Sequence, residues 1–184
     1  MTEVEPVKII TVHKGNVLPQ RYSVPTAARQ NHPLYDGIKD KKAERLVAVN
    51  KSNQVVGVAG YVQPGNGLNA AGKTFDEMNR RYYKREPKLY NQHLLYEAEK
   101  RLSPNKRIDL QYLGSTQPGV GTKLIDKLKS VGRTRGVKTI DGYTAKSVTG
   151  FYKKQGANIT KNTVTNSRGD LRYEFVIKTG RRRR

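Results

Sequence analysis

RIDLQYLGSTQPGVGTKLIDKLKSVGR, residues 107–133, is the stretch that decides the fold. Arg107–Leu113 (RIDLQYL) reads as a strand, and a glycine-containing turn runs from Gly114 to Gly121. A helix is predicted over Gly119–Arg133, with Leu124, Leu128 and Val131 on one face and Lys123, Lys127 and Lys129 away from it. Glycines in such a turn let the backbone approach a ligand closely. The first N–H groups of the helix, at the positive end of its dipole, suit a phosphate or pyrophosphate. A tight strand–helix connection with no ligand would use the same residues. Two other phosphate-binding patterns are excluded: no Lys-Ser/Thr pair follows a Gly-x4-Gly, and the third glycine of Gly-x-Gly-x-x-Gly is absent.

Outward from this unit, strands are expected at Val7–Val12 (VKIITV), Arg45–Asn50 (RLVAVN) and Val55–Val62 (VVGVAGYV). The last two are joined by the hairpin-length link Lys51–Gln54. Leu18–Asp40, with Pro19, Pro25 and Pro33, reads as loop with room for a short helix. After residue 133 the expected order is a strand at Val137–Thr144, a helix at Ser147–Gln155, and strands at Ala157–Val164 and Leu171–Lys178. Between Pro64 and Lys106 a glycine-rich loop leads into two helices: Thr74–Arg85, opened by a Thr74/Glu77 capping box, and Pro87–Leu102. Strands alternating with helices make an α/β pattern in one domain over residues 1–180, followed by the arginine tail 181–184.

One helix and one strand after the glycine turn comes Gly150-Phe151-Tyr152-Lys153-Lys154-Gln155-Gly156-Ala157. Together the two motifs resemble the GNAT superfamily of N-acetyltransferases. There Gln/Arg-x-x-Gly-x-Gly/Ala opens a helix, and a Tyr-x-x-x-Gly-Phe-like signature ends the next one. Gly119–Ile125 matches the first part, and Phe151-Tyr152 with Gly156 matches the second. The resemblance covers Arg45–Lys178 in element order and is specific from Leu110 to Ala157. It implies an α/β (α+β) acyl-CoA N-acyltransferase fold: a central mixed sheet flanked by helices, here with residues 64–106 as a helical insertion between the third and fourth strands.

The resemblance further implies acetyl-CoA as cofactor. Its pyrophosphate would lie on backbone groups of Gln117, Gly119, Val120, Gly121 and Thr122, and its pantetheine arm beside Leu113 at the end of the strand. Tyr152 matches the tyrosine that protonates the departing thiolate, and the acceptor amine attacks the thioester directly. An aromatic packed on the core is the other reading of Tyr152. The sequence departs from the family pattern at Thr116, where Gln or Arg is usual, and at Pro118, which lacks an N–H. It departs again at Ala145, near the place of a common asparagine, and at Ala157, in place of Phe. No general base is evident; Glu86, Glu97 and Asp109 are the candidates, and surface or capping roles suit each of them.

Charge adds a second theme. Thirty-six Lys and Arg oppose 15 Asp and Glu, giving a formal net charge of +21. Such a field attracts polyanions, nucleic acid first among them, and repels cationic acceptors such as polyamines. Arg80, Arg81, Lys84 and Arg85 interleave with Tyr82 and Tyr83, a pattern for phosphate contact and base stacking or for a packed helix face with solvated cations. Arg181, Arg182, Arg183 and Arg184 extend the positive field. Cysteine is absent, the three histidines (His13, His32, His93) lack metal-ligand spacing, and no apolar run is long enough to span a membrane. The expectation is therefore a cytoplasmic N-acetyltransferase whose acceptor is associated with nucleic acid, an aminoacyl-tRNA for example, or is a protein. Toxin-type members of the superfamily offer the analogy, since Ala145–Tyr152 loosely resembles theirs. The alternative is a nucleic-acid-binding protein, held inside a virion, that keeps the fold with little or no catalysis. A homodimer is compatible with either.

Overall fold

A computed structural model describes residues 6–30, 32–63, 107–165 and 169–180. The expected helical insertion 64–106 and the tail 181–184 lie outside the described residues. Among the described residues seven strands form one mixed sheet in the order β1-β2-β3-β4-β5-β7-β6. They are β1 (Lys8–Val12), β2 (Glu44–Val49), β3 (Val55–Val62), β4 (Arg107–Ser115), β5 (Thr139–Ala145), β6 (Ala157–Thr165) and β7 (Leu171–Lys178). The helices are α1 (Thr26–Gln30), α2 (His32–Lys39), α3 (Val120–Thr134) and α4 (Thr149–Lys154). Two compact units divide the chain: the first takes Met1–Val62 and Leu110–Thr134, the second Gln63–Asp109 and Arg135–Arg184.

In the first unit β1, β2 and β3 form an antiparallel meander, with Val12 opposite Arg45 and Val47 opposite Val58. Alternation along β2 sends Val47 and Val49 to one face, where they meet Val12, Leu34, Ile38, Val55 and Val58 in a buried cluster beneath α2. Helix α3 also packs on β2 and β3. It buries Val120, Leu124 and Leu128, spaced four residues apart, together with Ile125. Gly57 makes that approach possible, because a Cβ there would sit 2.6 Å from Val120 Cγ1. Every residue of β3 from Val55 to Tyr61 is buried, as its unbroken apolar run requires.

The second unit is built on β5, whose whole length pairs antiparallel with β7, and β7 pairs in turn with β6. The parallel register of β4 with β5 joins Arg107–Asp109 to Thr139–Asp141. Tyr152 of α4 stacks on Phe175 of β7, ring centroids 3.9 Å apart. Ile140 and Ile177 are buried on that face.

The structure shifts several boundaries by one or two residues and adds helix to one stretch. The stretch 18–40, expected as loop with room for one short helix, holds two, α1 and α2. Strand β4 runs two residues past Leu113, to Ser115. The helix expected over Ser147–Gln155 begins as a 3₁₀ turn (Lys146–Val148) and is α-helical from Thr149 to Lys154.

Candidate cofactor turn and acid–base residues

The turn between β4 and α3 is fixed from both sides within the first unit. The Thr116 N–H donates to the Val56 carbonyl at 2.9 Å, which ties the end of β4 to β3. Gly119 then adopts φ +78°, a conformation that costs a residue with a Cβ about 1–2 kcal/mol. Its carbonyl accepts from Lys123 N–H at 3.1 Å and so starts the helix. The Val120 N–H reaches back to the Gln117 carbonyl at 3.4 Å, closing the turn. Gly119 is exposed, Val120 and Gly121 are buried, and Leu113, Gln117 and Thr122 are half-buried. The structure thus brings all six expected cofactor-binding residues into one strand–turn–helix corner.

Electrostatically the corner suits an anion. Helix α3 is 15 residues long and has no acidic residue in its first turn. Pro118 has no N–H to offer, so the donors available are the amides around it. The residues present therefore fit a pyrophosphate held by backbone groups, with two donors fewer than the turn would otherwise supply, since Pro118 has no N–H and that of Val120 bonds the Gln117 carbonyl.

In the second unit Tyr152 is 6% exposed, and burial holds its phenol well above the usual tyrosine range. Gly156, the glycine of the second motif, has φ +84° and its N–H bonds the Lys153 carbonyl at 2.9 Å, which ends α4. Around β5 the structure gathers carboxylates that the sequence reading largely passed over. Strand register places Asp109, Asp141, Tyr143 and Glu174 on one face of the sheet, the face opposite Ile140, Phe175 and Tyr152. Asp141 is buried, with the Arg107 guanidinium 3.6 Å away. Glu174 is also buried and accepts hydrogen bonds from the Thr160 hydroxyl at 2.6 Å and the Asn162 amide at 2.8 Å. A charged residue inside an otherwise strand-like run (KTIDGYT, LRYEFVI) was the available signal. In the first unit, Tyr112 of β4 is half-buried, and its phenol is pushed above the usual value by burial first and then by Asp40. Glu86, Glu97, His93 and the basic residues Arg80, Arg81, Lys84, Arg85 and Arg181–Arg184 lie outside the described residues. Among the described residues no cluster of His, Asp and Glu could hold a metal ion, and no helix is long and apolar enough to cross a membrane.

No family model matches the chain, and no curated protein matches it. Solved structures do match. A protein of Desulfovibrio desulfuricans, described as an acetyltransferase of the GNAT family, superposes with a TM-score of 0.56 over 95% of this chain and 100% of that one, at 11% identity. For the IAA acetyltransferase of Bacillus cereus the TM-score is 0.53, covering 94% of this chain and 99% of that one at 11% identity. A GNAT family acetyltransferase from Elizabethkingia anophelis, solved with acetyl-CoA bound, gives 0.51 over 94% and 97%, again at 11% identity. These likenesses are of fold, and they are to one fold: the chain has the GNAT acetyltransferase fold.

Proposed function

We propose that this chain is an acetyl-CoA-dependent N-acetyltransferase. The observation that carries the reading is the left-handed Gly119 turn, which opens a 15-residue helix with no acid in its first turn, within a GNAT fold. Bound acetyl-CoA would supply a thioester carbonyl for direct attack by an amine. Backbone amides of Gln117, Gly119, Gly121 and Thr122 would hold the anionic end, with Val120, whose N–H closes the turn on the Gln117 carbonyl, at its base, and the backbone near Leu113 would pair with the pantetheine arm. Asp109, Asp141 and Glu174 lie on the sheet face opposite Tyr152, so they do not reach the same thioester carbon, and in this reading the amine's proton leaves directly to water. Tyr152 is the proton donor to the leaving thiolate in this reading. Its raised proton affinity makes that transfer uphill by at least about 2 kcal/mol against an ordinary thiol, which a barrier can absorb.

The +21 charge supports an acceptor amine carried by a polyanion, aminoacyl-tRNA being the concrete case. The same charge, with Pro118 in the donor turn, also supports a second reading, a nucleic-acid-binding protein of a virion with weak or no catalysis. Thermal unfolding of nucleic-acid-free protein with and without acetyl-CoA separates the two. At about a hundred times its dissociation constant the ligand adds roughly 2.7 kcal/mol, a rise on the order of 5–10 °C for a chain of this length. No shift at millimolar acetyl-CoA, alongside RNA binding that weakens steeply with salt, would leave the second reading standing and remove the first.

A further inference from the structure

A pocket of about 380 Å³ opens in the first unit, within the range of roughly 300–1,000 Å³ typical of small-molecule sites. It lies between the loop after β1 and the end of α2, and none of its lining residues belongs to β4 or α3. Tyr22, Ile38 and Arg45 form a buried floor, where both Arg45 Nη groups are already committed to the Ile38 and Asn16 carbonyls. The walls reach solvent: Leu18, Val24 and Tyr35 are half-buried, and Gln20 is exposed on the rim. A ligand therefore meets an apolar and aromatic wall and needs nothing from the floor.

The charge around the opening has one sign. Lys39 and Lys41 line the pocket, both exposed, and neither has an ion-pair partner among the described residues. The Lys39 ammonium rests 3.9 Å from the centre of the Tyr35 ring, and the Arg21 guanidinium 5.0 Å from that of the Tyr22 ring. A cation held on a ring, with no carboxylate to neutralise it, stays available to a phosphate. The Gly15 N–H donates to the Lys41 carbonyl at 2.9 Å and ties the loop that carries the exposed Lys14 to the same rim. No Asp or Glu lines the pocket, and Asp40, just past α2, accepts from the Lys42 N–H at 2.7 Å.

We propose that this pocket binds one nucleotide of a single-stranded nucleic acid, the base against Leu18, Val24 and Tyr35 and the adjoining phosphate on Lys39 and Lys41. Every base has a flat face that apolar and aromatic side chains can cover, and an unpaired strand leaves that face free. Gln20 has the amide donor and acceptor that a base edge can pair with. A flat, largely apolar body with a negative charge one sugar away is the chemistry that matches this wall and this rim. The chain's +21 charge draws such a strand to the surface from any side, and the pocket gives one base a place to lodge. The site involves neither the glycine turn nor acetyl transfer, so it stands under both readings of the function.

The test is fluorescence anisotropy of the full chain with a labelled uridine hexamer and with an abasic strand of the same length. Phosphate contacts elsewhere on this basic protein serve both strands equally, so the ratio of the two affinities isolates the base. The uridine strand is expected to bind at least about tenfold more tightly. Tyr35→Leu keeps an apolar side chain at a half-buried position and should bring that ratio towards one, with the abasic strand bound as before. Replacing Lys39 and Lys41 together by Ala should lower the slope of log affinity against log salt by about 1.4, or about 0.7 for each contact to a single strand. Equal affinity for the two strands overturns the proposal, as does a ratio that survives Tyr35→Leu or a salt slope that the double lysine replacement leaves unchanged. The lysine replacements are at exposed positions and decide the matter even if Tyr35→Leu is unstable. An acetyl-CoA shift in melting temperature, present or absent in the same protein, bears on the enzyme reading alone.

Discussion

Replacing Tyr152 by Phe should leave the protein more resistant to alkali than its parent. The ring is 6% exposed and stacked 3.9 Å from Phe175, so the substitution removes one hydroxyl and keeps the packing. Burial raises the folded-state pKa of this phenol above the unfolded value near 10, so the native state keeps a proton that the unfolded chain gives up. Its contribution is intact below pH 10 and declines as pH climbs beyond it, by about 1.4 kcal/mol per unit until the buried phenol itself ionises. By pH 11.5 the parent should have lost about 2 kcal/mol more than Tyr152→Phe. The many lysines and the other tyrosines titrate alike in both proteins and cancel in the difference. Urea unfolding at intervals from pH 8 to 11.5 measures it. With a slope near 2 kcal/mol per molar, the midpoints should separate by about 1 M at the top of the range. Curves that fall in parallel would show a solvated hydroxyl, and the argument from burial would fail.

Three further outcomes follow from the packing. Gly57→Ala drives a Cβ to 2.6 Å from Val120 Cγ1 and should cost about 1–3 kcal/mol, read as a lower melting temperature. Gly119→Ala forces a side chain into φ +78°, costing about 1–2 kcal/mol. Unlike Gly57→Ala, it should also reduce the rise in melting temperature expected with acetyl-CoA under the proposed function. Glu174→Ala strands the Thr160 hydroxyl and the Asn162 amide and should destabilise by about 1–3 kcal/mol in chemical denaturation, with Glu174→Gln recovering part of the loss.

What the sequence made legible were the elements whose periodicity is set locally. Val55–Val62 matched its strand residue for residue, and the spacing of Leu124 and Leu128 marked the buried face of α3, although Val131 is half-buried and Ile125 and Gly132 complete that face. Prolines left room for only one short helix in the reading of residues 18–40 where there are two, because proline is tolerated at the start of a helix, where its missing N–H has no acceptor to lose. Pro25 directly precedes α1, and Pro33 stands in the first turn of α2. The end of β4 was hidden for another reason: Ser115 stays in the strand because Thr116 bonds Val56, a partner 60 residues away. Arg45, Asp141 and Glu174 escaped notice because a charge within a strand is by default assigned to water. Each is buried here and held by partners from other segments, which no local pattern reveals.

Those buried charges bear on chemistry more than on stability. Apolar residues on the Asp109–Asp141–Glu174 face would have packed against a covering layer at no desolvation cost, whereas a buried carboxylate must be compensated by Arg107 in one case and by Thr160 and Asn162 in the other. A chain that sustains two such carboxylates on neighbouring strands keeps a polar, pre-oriented surface on one side of the sheet. The other side, with Ile140, Phe175, Ile177 and Tyr152, is an ordinary hydrophobic core. The candidate acid and the candidate bases therefore sit on opposite faces of the same strands. An attacking amine and a departing thiolate are bonded to one carbonyl carbon, so groups on opposite faces cannot serve the same transfer, and the proposed role of Tyr152 excludes these carboxylates as its direct partners. Tyr152→Phe should then lower acetyl transfer while leaving acetyl-CoA affinity nearly intact, whereas Asp141→Asn, compared at equal folded fraction, should leave the transfer rate unchanged.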